Sequence, residues 1–263
     1  MKTFGTIILL FLSACGDFNY SPYVLDIEST YTNDLNLERI LNQGSIQASA
    51  KSVDFKIAVI SDTHDYYDGL EKQVRYINKH SEEYDFVIVT GDMSNVGLVS
   101  EFEQTKRRLD RLTIPYITTI GNHDLLIDGQ TVYSRMFGKD TYAFEYKNTK
   151  FVLFNNNNWE SSSNIPDLGW VESELVSNSK PHLILLSHVA PDDRDRFTNS
   201  QIHEWKELVN RYGVNYYING HDHNPGEGFF GDAIQITAGS SSKNVLFELN
   251  INGGGMDHAF INL

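Results

Sequence analysis

The strongest constraint in this chain is a recurring join, in which a short apolar run rich in β-branched residues breaks off into polar residues able to bind a ligand. Lys56-Ile57-Ala58-Val59-Ile60 runs into Ser61-Asp62-Thr63-His64, and Phe86-Val87-Ile88-Val89 runs into Thr90-Gly91-Asp92. Tyr116-Ile117-Thr118-Thr119-Ile120 ends in Gly121-Asn122-His123-Asp124, and Leu183-Ile184-Leu185-Leu186 in Ser187-His188. Tyr216-Tyr217-Ile218 leads to Asn219-Gly220-His221-Asp222-His223. Unbroken runs of this kind suit strands buried on both faces, as in parallel sheets. Between them lie amphipathic stretches: Leu70 to His80, with Leu70, Val74 and Ile77 on one face, then Glu101 to Leu112 and Ile202 to Tyr212. Strand alternating with helix predicts a layered α/β fold with largely parallel pairing.

The rest of the chain modifies that frame. Thr141 to Tyr146 and Phe151 to Phe154, joined through Asn148-Thr149, predict a hairpin, and the tail offers three more strand candidates at 233–237, 245–249 and 259–261. The sheet content is therefore mixed, and two sheets packed face to face are expected. Asn155-Asn156-Asn157-Asn158 reads as a turn that follows a strand and could reach a cleft. A chain of 263 residues can bury about 70–75% of its unfolded surface and needs no covalent staples.

The amino-terminal stretch has a different character. Lys2 precedes the apolar run Ile7 to Leu12, and Ser13-Ala14-Cys15-Gly16 follows, a pattern that predicts a secretory signal over 1–14 too short to span a bilayer. Leu12-Ser13-Ala14-Cys15 resembles the bacterial lipobox, which implies acylation of Cys15 and a mature protein outside the cytoplasm, lipid-anchored on the periplasmic side or at the cell surface. Residues 15–53 read as a polar tether with one docked segment, a helix around Leu35 to Leu41 that ends at Gly44. A domain over 54–263 would carry the chemistry. Cys15 is the one cysteine, so an internal disulfide and a thiolate zinc site are both excluded. The net charge of −14 argues against a sequence-independent grip on nucleic acid, which needs a basic stripe. No protein partner is predicted.

Ligands of open α/β sheets collect at the carboxyl ends of strands, and all five joins lie there. Five of the nine histidines are among them; His80, His182, His203 and His258 are not, and read as structural or surface residues. Imidazole, carboxylate and amide oxygen suit manganese, iron or zinc. Asp62, His64, Asp92, Asn122, His188, His221 and His223 are too many for one ion. Two ions sharing one carboxylate would each have four protein ligands, and pairs about 3.5–4 Å apart occur in phosphatases and nucleases.

The series Asp-x-His, Gly-Asp, Gly-Asn-His-Asp, His and Gly-His-x-His resembles the calcineurin-like metallophosphoesterase family over residues 55 to 223, in that family's order. The resemblance implies a four-layer αββα fold, a double β-sandwich flanked by helices. It implies two divalent or trivalent ions, with Asp62, His64 and His223 on the first, Asn122, His188 and His221 on the second, and Asp92 bridging. His123 is then left beside the leaving group. Asp124 either holds the His123 ring or caps its own loop.

The implied activity is hydrolysis of phosphate esters, in which two cations generate a bridging hydroxide and hold the phosphoryl oxygens for in-line attack. Asn95 stands where purple acid phosphatases have a tyrosine ligand, and Met93 to Val96 lacks the arginine of phosphoprotein phosphatases. Diesters are therefore favoured over monoesters. Arg194 or Arg196 could grip a second phosphate, and Trp159 or Phe197 could stack on a base, unless these are a solvated charged loop and a buried aromatic. The alternatives are a catalytically idle module that uses metals to bind a phosphate ligand, and an extracytoplasmic nuclease.

Overall fold

The computed structural model describes residues 27–48, 53–161 and 165–263. The signal segment, Cys15 and part of the tether lie outside these. The first half comprises α1 (Thr32–Ala48), β1 (Phe55–Ile60), α2 (Tyr67–Lys79), β2 (Phe86–Val89), α3 (Val99–Leu109), β3 (Tyr116–Thr118), α4 (Gly129–Met136) and β4 (Tyr142–Tyr146). The second half comprises β5 (Thr149–Leu153), α5 (Leu168–Val176), β6 (His182–Leu186), α6 (Asn199–Tyr212), β7 (Tyr216–Asn219), β8 (Gly226–Phe230), β9 (Ala233–Thr237), β10 (Val245–Asn252) and β11 (Gly255–Asn262).

The strands form two sheets, ordered β11-β10-β1-β2-β3 and β4-β5-β6-β7-β9-β8. The first has antiparallel strands on one side only, β10 and β11, and the second has an antiparallel strand at each edge, β4 and β8. β1, β2 and β3 run parallel in the first sheet, as do β5, β6, β7 and β9 in the second. The period of two along a strand sorts side chains into layers. Ile57 and Val59 of β1 turn inward with Phe86, Ile88 and Ile117, and meet Phe151, Leu153, Ile184, Leu186 and Ile218 of the second sheet. The intervening residues Ala58, Ile60, Val87 and Val89 pack outward on Leu70, Val74, Ile77, Phe102 and Val132 of α2, α3 and α4. Val152, Leu183, Leu185 and Tyr217 pack on Val171 and Leu175 of α5 and on Trp205 and Val209 of α6. The architecture is helix, sheet, sheet, helix.

α1 closes the edge where β3 and β4 meet. Asn33 is 2% exposed, and it hydrogen-bonds both backbone groups of Thr118: Thr118 N donates to its Oδ1 at 2.9 Å, and its Nδ2 donates to Thr118 O at 3.1 Å. Asn36 Nδ2 donates to Tyr116 O at 2.7 Å, and Ile40 enters the core between the sheets. An edge strand whose peptide groups are covered in this way cannot recruit another chain. The helix does not end at Gly44 as its sequence suggests. It continues to Ala48, and Gly44 lies against the Tyr146 ring, where a Cβ would come within 2.8 Å of Cε2. This glycine serves close approach and does not terminate the helix.

Candidate metal centre

β1, β2 and β3 from one sheet and β6 and β7 from the other bring their carboxyl ends to the same edge of the sandwich. The chain turns sharply there. Asp62, His64, Asp92, His221 and His223 have φ of 48°, 40°, 52°, 74° and 60°. The left-handed region costs a residue with a Cβ about 1–3 kcal/mol, and concentration of that strain at one place marks a functional site. Three motif glycines make room for these turns. A Cβ on Gly91, itself at φ 96°, would come within 2.6 Å of His188 Nδ1. On Gly121 it would lie 2.2 Å from Asp92 N, and on Gly220 2.0 Å from Ser61 Oγ.

All seven expected ligands converge. Asp62, His64 and His223 form one group whose ligand atoms lie within 4.8 Å of one another, and Asp92, His188 and His221 form another. His64 Nε2 is 3.2 Å from His223 Nε2, and His223 Nε2 is 3.6 Å from Asp62 Oδ1. Asn122 Oδ1 lies 3.1 Å from His188 Nε2 and 2.9 Å from His221 Nδ1. Asp92 Oδ2 stands between the groups, 3.5 Å from His64 Nε2 and 3.1 Å from His188 Nε2. Ser61 Oγ donates to Asp62 Oδ2 at 2.6 Å, and Ser240 Oγ donates to Asp62 O at 3.0 Å.

Burial dominates the electrostatics. It raises the Asp62 carboxyl to about 7 against the opposing pull of His188. His188 is raised to about 10, because the pull of Asp92 and Asp62 outweighs its own burial. Asp92 is held below its usual range, with His188 overcoming its burial. Burial lowers His64 and His221 to about 4, so both are neutral at pH 7. The His188 imidazolium thus faces the Asp92 carboxylate and an Asp62 carboxyl that is part-protonated at pH 7, while neutral imidazole nitrogens and an amide oxygen face the same space. That donor set, electron-rich and short of positive charge, fits borderline divalent cations.

His123 adjoins both groups. It shares a third cluster with His64 and Asp92, and its ring stands perpendicular to that of His64 with centroids 4.8 Å apart. Asp124 does not hold this ring. His123 Nδ1 instead donates to Asn95 O at 2.6 Å. The Asp124 carboxylate accepts from Ser94 N at 2.8 Å, Ser94 Oγ at 2.9 Å and Gly121 N at 3.0 Å, so it caps the loop.

The substrate-loop candidates also change. Phe197 is in the core behind the second sheet. Arg196 is held by both Glu160 oxygens, at 2.8 and 2.7 Å, and lies 4.3 Å from the centroid of the exposed Trp159 ring. His258 accepts from the Tyr216 hydroxyl and His80 pairs with Glu83, both away from the ligands. The sequence does not reveal what Asn95, Ser61 and Ser240 do: Asn95 acts on His123 through its carbonyl, Ser61 bonds the carboxylate of its own neighbour, and Ser240 reaches Asp62 only through the tertiary fold.

A family model described as calcineurin-like phosphoesterase matches residues 55–225, more than half of the chain. A probable cyclic nucleotide phosphodiesterase of Xenorhabdus bovienii is 23% identical over 62% of this chain and 70% of its own length. A 3′,5′-cyclic-nucleotide phosphodiesterase of Nostoc sp. is 29% identical over 54% of this chain and 56% of its own. Among solved structures, a purple acid phosphatase from yellow lupin seeds superposes with a TM-score of 0.65 at 14% identity, covering 80% of this chain and 51% of the lupin chain. This chain therefore spans only about half the length of the Nostoc and lupin proteins. No helix among the described residues is long and apolar enough to cross a membrane.

Proposed function

The chain belongs to the calcineurin-like phosphoesterase family, and from that premise we propose that it is a dinuclear metal-dependent phosphodiesterase. The observation that carries this reading is Asp92, whose Oδ2 faces His64 on one side and His188 on the other, so that one carboxylate joins two ligand groups. Asp62, His64 and His223 would hold one ion, Asn122, His188 and His221 the other, and Asp92 both. Manganese, iron and zinc all suit these donors. When bound, two such ions neutralise phosphoryl oxygens and lower the pKa of water.

The remaining roles belong to the chain's own groups. A carbonyl can only accept, so the Asn95 contact fixes the proton of His123 on Nδ1. Nε2 is then the nitrogen left to serve the substrate. Protonated, it donates to the leaving oxygen as the ester bond breaks. Gly91, Gly121 and Gly220 let the ligand loops approach without a clash.

A diester preference is supported by the curated relatives, which carry cyclic-nucleotide phosphodiesterase names. Of the two arginines expected to grip a second phosphate, Arg196 is bound by Glu160 and Arg194 is exposed. Cys15 would tether the mature enzyme to a membrane outside the cytoplasm.

The test is turnover of bis-p-nitrophenyl phosphate and of a 3′,5′-cyclic nucleotide by manganese-loaded protein. Asp92→Asn should lose both metal and activity. His123→Ala should keep metal and lose about 10²–10⁴-fold in kcat. Retention of full rate by His123→Ala would remove the proton-donor role from His123. Absence of turnover of mono- and diester reporters by the metal-loaded wild type would defeat the enzyme reading.

A further inference from the structure

The run Asn155-Asn156-Asn157-Asn158 follows β5 directly, and Asn156 and Asn157 are fully buried against loops that carry ligands. Asn156 Nδ2 donates to Val189 O at 2.7 Å, and Val189 N donates back to Asn156 Oδ1 at 3.0 Å. One side-chain amide thus holds both backbone groups of the residue after His188. Asn157 Nδ2 donates to Ile120 O at 3.0 Å, just ahead of Gly121-Asn122, and also to Asn155 Oδ1 at 2.9 Å. Asn155 is anchored in turn, its Nδ2 donating to Asp140 Oδ2 at 3.0 Å. Because backbone carbonyls only accept, the orientation of both amides follows from their partners.

We propose that Asn156 and Asn157 are positioning residues for the second metal, setting the spacing between the Asn122 and His188 loops. The inference rests on the two-ion assignment above. Topology supplies the reason. Asn122 follows β3 in the first sheet and His188 follows β6 in the second, so no ladder within either sheet fixes their separation. β5 is the neighbour of β6, and the loop after β5 reaches across the sandwich to Ile120.

The Asp62, His64 and His223 half is supported by other contacts. Ser61 and Ser240 hold Asp62, and His64 N donates to Asp92 O at 2.9 Å. Asn157 also leaves its buried Oδ1 without a partner among the described residues. An unpaired buried acceptor disfavours folding. The residue therefore suits the loop-to-loop contact better than it suits stability.

The experiment is elemental analysis and manganese titration of the purified full chain. The wild type should bind about two ions. Asn156→Ala and Asn157→Ala should keep the first ion and weaken the second about 10–100-fold, the usual effect of removing a residue that orients ligands. Asn178→Ala is the internal control, because the Asn178 amide bonds Lys180 O and Lys180 N in the turn ahead of β6, at the opposite end of the strand from His188; it should bind like the wild type. If Asn157→Ala does not fold by circular dichroism, Asn157→Ser and Asn156→Ser, which keep a donor, carry the same expectation.

Two tight ions in the Asn156 and Asn157 variants would overturn the proposal. Joint loss of both ions would also overturn it, by making these residues general supports. A wild type with fewer than two ions would bring down the two-ion assignment itself, together with the proposal resting on it.

Discussion

His188 lies between two buried carboxylates, 3.1 Å from Asp92 Oδ2 and 3.9 Å from Asp62 Oδ1, and that position governs how the protein exchanges protons for metal. Its Nδ1–H is committed to Thr90 O at 2.7 Å, so Nε2 is the nitrogen that can lose a proton and coordinate. With its pKa raised to about 10, the metal-free site carries that proton throughout the neutral range. An entering cation needs the lone pair and must displace the proton. The sign follows: below the raised pKa, apparent affinity increases with pH, about tenfold per pH unit for each proton displaced. His64 and His221, already neutral at pH 7, contribute nothing to this slope until the pH approaches 4. Manganese titration calorimetry at pH 7, in buffers of different ionisation enthalpy, should therefore show net proton release. His188→Gln should lose the second ion and its share of that release, leaving the proton displaced from Asp62, whose carboxyl burial raises to about 7. A wild type that binds two ions and releases no protons would show that His188 is neutral before the metal arrives.

The elements that position the site differ in how legible they are in the sequence. β1, β2, β3, β6 and β7 stand out because strands buried on both faces must be continuous apolar runs, and every ligand lies where such a run stops. β8 is obscure: Gly226 to Phe230 alternates exposed and covered residues, and Phe229 is 71% exposed. α5 is short, with nine residues, and its start is marked only by the Asp167 cap. Asp124 illustrates a subtler limit, since a carboxylate next to a histidine in sequence can turn its side chain either way. Here three donors from Ser94 and Gly121 decide the matter. The same holds for α1, whose polar Asn33 and Asn36 resemble tether residues until the edge of β3 is in view. That contact is testable at the level of the element. Asn33→Ala removes the acceptor of the buried Thr118 N–H and should cost about 1–3 kcal/mol. Urea unfolding of the metal-free protein should show it as a lower midpoint with an unchanged slope. An unchanged midpoint would mean that α1 packs on the sandwich without stabilising β3.

For the whole molecule, the question is where a site of this kind meets its substrate. The chain carries a net charge of −14, and an anionic membrane surface repels such a protein. Residence at a membrane must then come from something stronger than surface electrostatics, and no described helix is a candidate span. The proposed acylation of Cys15 would suffice, because each buried CH₂ contributes about 0.8 kcal/mol and two or more chains give stable anchoring. In a bacterial host with lipoprotein processing, the wild type should partition into the detergent phase of a Triton X-114 separation. Cys15→Ala should move to the aqueous phase, with manganese content and diesterase rate per chain unchanged, because the proposed ligands all lie between Asp62 and His223. Detergent partitioning retained by Cys15→Ala would point to an anchor other than the acyl chain. A wild type recovered in the aqueous phase, with its mature chain starting elsewhere than Cys15, would make the leader an ordinary secretion signal and the enzyme free to diffuse.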